Sequence, residues 1–130
     1  MDEVAAALRT TIRLVIVAGV LATLLGGPGP ARAHAFLDHA DPRVGSTVSS
    51  PPAALTLAFT EPIEAALSRV EVTDAAGKRI ETGPLQHPAP ATITVSLPAL
   101  VPGSYTVTWA GVSVDTHPTE GHFTFSVKGP

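Results

Sequence analysis

The 130-residue chain has no cysteine, and its only methionine is Met1. Without cysteine there is no disulfide framework and no thiolate to hold a metal. Without a methionine further along there is no thioether, which excludes the soft sulfur ligand set that suits Cu(I). Aromatic residues make up 5% of the chain, which leaves little material for a broad surface that stacks on sugar rings. Basic residues are also few, eight Lys and Arg against eleven Asp and Glu. From His34 onward the balance is five against nine, a net charge of −4. A nucleic-acid partner is excluded on that ground, since such binders carry basic patches. No internal repeat is present, and beyond residue 33 no stretch keeps a 3.6-residue apolar period.

What is present begins with an ordered N-terminal signal. Arg9 and Arg13 precede an apolar run, Leu14 to Leu25. Gly26, Gly27, Pro28, Gly29 and Pro30 then break any helix, and Ala31-Arg32-Ala33 is a small-x-small cleavage triplet. That is the order of a secretory signal peptide, although Asp2 and Glu3 are unusual in its first part. The apolar run has 12 residues, well short of the roughly 20 that a spanning helix needs. The expectation is a signal peptide over 1–33, cleaved after Ala33, and an exported, periplasmic domain over 34–130 with no membrane span.

The exported part reads as short strands between Pro/Gly punctuation. Leu55, Leu57 and Phe59 alternate with polar or small residues, as do Val70 and Val72, and then Ile93, Val95 and Leu97. Asp74-Ala75-Ala76-Gly77 is hairpin chemistry, with Lys78 to Ile80 as the return strand. Pro102-Gly103 turns the chain into Tyr105, Val107 and Trp109, and Phe123, Phe125 and Val127 close the domain. Glu61 to Leu67 has room for one helical turn, and Gln86 to Pro90 reads as an exposed loop. The pattern predicts an all-β, immunoglobulin-like Greek-key sandwich or barrel. Tyr105, just past a Pro-Gly turn, fits a tyrosine corner, whose hydroxyl bonds nearby backbone.

Cleavage after Ala33 would make His34 the first residue, with a free α-amine and an imidazole able to chelate one ion. Asp115-Thr116-His117-Pro118 is the other candidate. In an extended segment residues two apart share a side, so Asp115 and His117 can present an oxygen and a nitrogen to one point. Pro118 restricts His117 to extended conformations. Three nitrogens and one oxygen in a plane suit tetragonal Cu(II). His39, His87 and His122 have no such partners. His39 and His122 read as surface residues and His87 as a loop residue.

On these residues the chain resembles the periplasmic copper-binding CopC family. The resemblance rests on His34-Ala35-Phe36-Leu37 with Pro42 and Gly45, on Phe59-Thr60-Glu61, and on Gly103-Ser104-Tyr105 through Trp109. It continues through Val112-Ser113-Val114-Asp115-Thr116-His117-Pro118 and Gly121. It implies a β-barrel of about seven strands that binds one Cu(II) through His34, Asp115 and His117. Glu61 would be a weak axial or outer partner. The methionines of the Cu(I) site found in some members are missing here. The resemblance also implies an inner-membrane copper permease of the CopD type as partner.

The leading expectation is therefore a periplasmic Cu(II)-binding protein, not an enzyme, that sequesters or carries copper for resistance or delivery. Two alternatives differ in class. One is a histidine-brace copper redox enzyme of the monooxygenase type; Asp115 would occupy the position that oxygen needs open. The other is a metal-free immunoglobulin-like interaction module.

Overall fold

A computed structural model describes residues 35–130. The predicted signal peptide and His34 lie outside the described residues. Nine strands follow in order: β1 (Leu37–Asp41), β2 (Thr47–Val48), β3 (Ala54–Phe59), β4 (Arg69–Asp74), β5 (Arg79–Ile80), β6 (Gln86–Ala89), β7 (Thr92–Ser96), β8 (Gly103–Val112) and β9 (Pro118–Val127). Two of them, β2 and β5, are only two residues long, which leaves seven of ordinary length. One 3₁₀ turn, Ala65–Leu67, lies between β3 and β4.

The strands form two sheets, ordered β1-β3-β7-β6 and β2-β9-β8-β4-β5. All pairings are antiparallel except β2 with β9. The alternation read from the sequence decides which face turns inward. Leu55, Leu57 and Phe59 of β3 and Ile93 and Val95 of β7 are buried from one sheet. Val70, Val72, Tyr105, Val107, Trp109, Phe123, Phe125 and Val127 are buried from the other. Each such side chain contributes about 1.5–3 kcal/mol when removed from water. Phe59 meets Trp109 edge to face across the sandwich, with ring centroids 5.1 Å apart, and Tyr105 stacks on Phe125 at 5.5 Å. Both separations lie in the favoured range for aromatic pairs.

Local chemistry fixes the turns. Asp74 Oδ1 accepts from the amides of Ala76 and Lys78, at 2.9 Å each, and Gly77 takes φ +79°, so the β4–β5 hairpin forms where the sequence placed it. The Tyr105 hydroxyl donates to the Val101 carbonyl at 2.6 Å, the expected tyrosine corner. Tyr105→Phe is expected to cost about 1 kcal/mol, the usual net worth of such a bond; chemical denaturation measures it. Gly121 is required by close approach, because a Cβ there would sit 2.8 Å from Trp109 Cζ2. Gly121→Ala is expected to destabilise the fold by about 1–3 kcal/mol through overpacking.

One element differs from expectation. Gln86–Ala89 is a strand, not a loop, and all four of its residues are exposed. It pairs irregularly with β7 at the edge of its sheet, with Pro84 before it and Pro88 and Pro90 in and after it. Proline is tolerated at a sheet edge because its missing N–H faces no neighbour, and it blocks further strands from adding there. The polar, proline-rich composition that suggested a loop is also that of a protected edge.

Candidate metal site

The end of the sandwich where β8 turns into β9 carries Ser113 to His117. This stretch is a tight turn and not the extended segment assumed from spacing. The Thr116 amide donates to the Ser113 carbonyl at 2.8 Å, and the Ser113 amide donates to the His117 carbonyl at 2.9 Å. Thr116 has φ +71°, a left-handed conformation that is strained for a β-branched residue. Asp115 and His117 do come together as expected, but a turn brings them together and not strand periodicity. His117 Nδ1 lies 3.1 Å from Asp115 Oδ1. Their side chains are 44% and 50% exposed, so a small ion can reach them, while the Nδ1 atom itself is shielded.

Ser113 lies beneath this pair and is 2% exposed. Its hydroxyl donates to Asp115 Oδ1. This bond, and the neighbouring His117, hold the Asp115 carboxyl below its ordinary value, outweighing the smaller opposing effect of burial. Asp115 therefore contributes stability that is fully present above the ordinary aspartate pKa of about 3.9 and is lost as pH falls through its lowered value. In a carbon-detected NMR titration its carboxyl is expected to keep its charge below pH 3.9 while ordinary aspartates titrate.

The chemistry of the pair suits a metal ion. Two donors at right angles on one ion, with bonds of about 2.0–2.1 Å, stand about 3 Å apart. The 3.1 Å between Asp115 Oδ1 and the shielded His117 Nδ1 is the contact of an ion pair of similar span, and one carboxylate oxygen with one imidazole nitrogen is a borderline donor set.

Backbone bonds tie other parts of the chain to the same end. Ile63 bridges to Ser113, the Val114 amide donates to the Pro62 carbonyl at 3.1 Å, and the Glu64 amide donates to the Val112 carbonyl at 2.8 Å. Two residues before Pro62, Thr60 is laced to Phe36: the Phe36 amide donates to Thr60 Oγ1 at 3.0 Å, and the Thr60 amide donates to the Phe36 carbonyl at 2.9 Å. Ala35, the first described residue, is fully buried in the core. The N-terminal segment is therefore fastened, through Thr60 to Pro62, to the loop that carries Asp115.

Glu61 lies within this lacing and is exposed. Among the described residues no three His, Asp or Glu side chains gather as an ion site, so Glu61 does not join Asp115 and His117 in such a group. His39 and His122 are exposed, as expected for surface residues, whereas His87 lies on a strand and not in a loop. His39 is exposed on β1 and pairs with Asp38 at 2.9 Å. His122 is exposed on β9 opposite Thr108. His87, on the β6 edge strand, donates from Nε2 to the Pro90 carbonyl at 3.0 Å. The sequence marks Ser113 only as part of the family-like stretch. Its role depends on a turn that spacing alone did not reveal.

The fold and this end of it define an immunoglobulin-like β-sandwich that presents an aspartate–histidine pair at a hairpin tip. Residues 37–128 match the family model described as the CopC domain, and the chain belongs to the CopC family. It is 40% identical over 99 residues to protein YobA of Escherichia coli K12, covering 74% of this chain and 80% of that one. It is 34% identical over 123 residues to copper resistance protein C of Xanthomonas campestris pv. juglandis, covering 88% and 92%. Among solved structures, CopC from Methylosinus trichosporium OB3b superposes with a TM-score of 0.69 at 33% identity, covering 73% of this chain and 94% of that one. PcoC, a methionine-rich copper resistance protein from E. coli, superposes with 0.68 at 28% identity, covering 74% and 100%.

Proposed function

We propose that this protein is a periplasmic Cu(II) carrier that takes part in copper resistance or homeostasis and passes its ion to a membrane copper transporter. The observation that carries this reading is the Asp115–His117 pair, 3.1 Å apart at the accessible hairpin tip, next to the Thr60–Pro62 segment to which Phe36 is laced. The relatives named for copper resistance support copper as the cargo. The copper transport protein CutJ of Bacillus subtilis, 30% identical over 103 residues that make up 19% of its length, supports a link to transport. Among the described residues no helix is long and apolar enough to cross a membrane. The transporter is proposed to be an inner-membrane permease of the CopD type.

In this reading signal cleavage after Ala33 frees the His34 amine, and His34, Asp115 and His117 hold the ion. Copper would be cargo, bound and released unchanged. Glu61, exposed beside Thr60 and apart from the Asp115–His117 pair, would act as an outer partner. Asp115 would occupy a position that oxygen chemistry needs open, which favours a carrier over a redox enzyme.

The test is a Cu(II) titration of exported protein whose first residue has been established by mass spectrometry, read by electron paramagnetic resonance. One Cu(II) per chain with a tetragonal, nitrogen-rich spectrum is expected. Absence of binding overturns the proposal. Affinity is also expected to fall between pH 8 and 5 with release of protons. Imidazole and amine must deprotonate to bind, with ordinary values of about 6.5 and 7.7–8.0. Asp115 is already charged across that range, so the loss reports on the nitrogen donors alone. An affinity that stays flat from pH 8 to 5 counts against histidine and amine ligation.

A further inference from the structure

The geometry points to Ser113 as a positioning residue: its buried hydroxyl sets Asp115 and His117 side by side before any ion arrives. This rests on the copper-carrier reading above. Ser113 is 2% exposed and faces a pair that is half exposed. Its Oγ lies at the centre of three contacts. It donates to Asp115 Oδ1, it accepts from the His117 amide at 3.2 Å, and the His117 carbonyl oxygen stands 3.1 Å away.

A hydroxyl carries one proton, so Ser113 can serve only one of the two oxygens at a time. The ionised carboxylate takes it, because a charge-assisted bond is roughly twice as strong as a neutral one. The His117 carbonyl still has the Ser113 amide, at 2.9 Å, as its donor. One residue therefore fixes the side chain of one proposed ligand and the backbone of the other. A serine that merely closed the turn would bond backbone alone.

The hub is itself anchored. Ser113 bridges to Ile63, which is 1% exposed in the core. The hydroxyl of Ser113 thus adds a side-chain link between the rigid sandwich and the two ligands, beside the backbone bonds of the hairpin. The left-handed Thr116, φ +71°, is the counterpart of this anchoring. Strain of that kind persists only where surrounding bonds over-determine the backbone, and the contacts of Ser113 to Asp115 and His117 enclose Thr116 on both sides.

Removing a group that orients a metal ligand typically costs 10–100-fold in affinity. Ser113→Ala, in protein beginning at His34, is expected to weaken Cu(II) by about that factor in a chelator competition and to alter the copper hyperfine splitting. Ser113→Thr keeps the hydroxyl and should recover the wild-type spectrum. Thr116→Gly relieves strain but leaves the hydroxyl untouched, so it should raise the melting temperature and keep the spectrum. Wild-type affinity and spectrum in Ser113→Ala would overturn the inference.

A second measurement does not depend on any variant folding. In ion-free wild-type protein, three-bond couplings should show one χ1 rotamer each for Asp115 and His117. Averaged couplings would overturn the inference. If wild-type protein binds no Cu(II), the carrier reading fails, while the rotamer measurement still decides whether Ser113 orders the pair.

Discussion

Protein that begins at His34 is expected to bind Cu(II) at least about a hundred-fold more tightly than protein with one extra residue in front of it. An added residue turns the His34 amine into an amide, which must give up a far more weakly acidic proton before it can be a donor. The imidazole survives, but the chelate through one residue is broken. Loss of an orienting group beside a ligand already costs 10–100-fold, so loss of a ligand atom should cost at least the upper end of that range, about 3 kcal/mol. Competition with a chelator of known affinity at pH 7.5, on protein whose first residue is verified by mass spectrometry, measures the difference. Equal affinity in the two forms removes the amine from the site and with it the need for cleavage after Ala33. Ala35 is already fully buried, and Phe36 is laced to Thr60 by two hydrogen bonds, so the added residue should leave the melting temperature unchanged.

The second large effect is expected at the hairpin tip. His117→Ala should weaken Cu(II) by about a hundred-fold or more and simplify the nitrogen hyperfine pattern. Asp115→Asn keeps the shape of the side chain but removes its charge, and should weaken binding by a similar factor. Neither change should unfold the domain, because both side chains are about half exposed and neither belongs to the hydrophobic core. Circular dichroism and a thermal melt provide that control. By contrast His39→Ala and His122→Ala are expected to leave the copper spectrum unchanged, since both side chains lie exposed on strands. If His117→Ala bound copper like the wild type, the metal would have to sit elsewhere, and the Asp115–His117 pair would be only a structural ion pair.

Much of this molecule was legible because β-strands impose a period of two. Leu55, Leu57 and Phe59, or Tyr105, Val107 and Trp109, show their burial by alternation, and the structure buries all six. The Asp74 to Gly77 turn and the Tyr105 corner were readable because their chemistry is local: an aspartate that accepts from amides two and four residues on, and a hydroxyl that reaches back four residues. The edge strand at Gln86–Ala89 was misread because proline and exposure mark both loops and protected edges. Which of the two applies depends on whether β7 lies alongside, and that is not a property of the segment.

Asp115 and His117 were also legible in the sequence, but the structure brings them together by other means than their spacing suggests. Two-residue spacing suggested an extended strand. The pair is in fact assembled by a turn with a left-handed Thr116 and a hydroxyl from Ser113 beneath it. Strand alternation, turn chemistry and the absence of sulfur were set by the chain alone, because each depends on residue type and near neighbours. The joining of the Phe36 segment to Thr60, of Pro62 to Val114 and of Ile63 to Ser113 was decided only by the packed sandwich. Those contacts link residues 24 to about 50 positions apart, and a separation of that length is closed by burial of a shared core and not by any local preference of the chain.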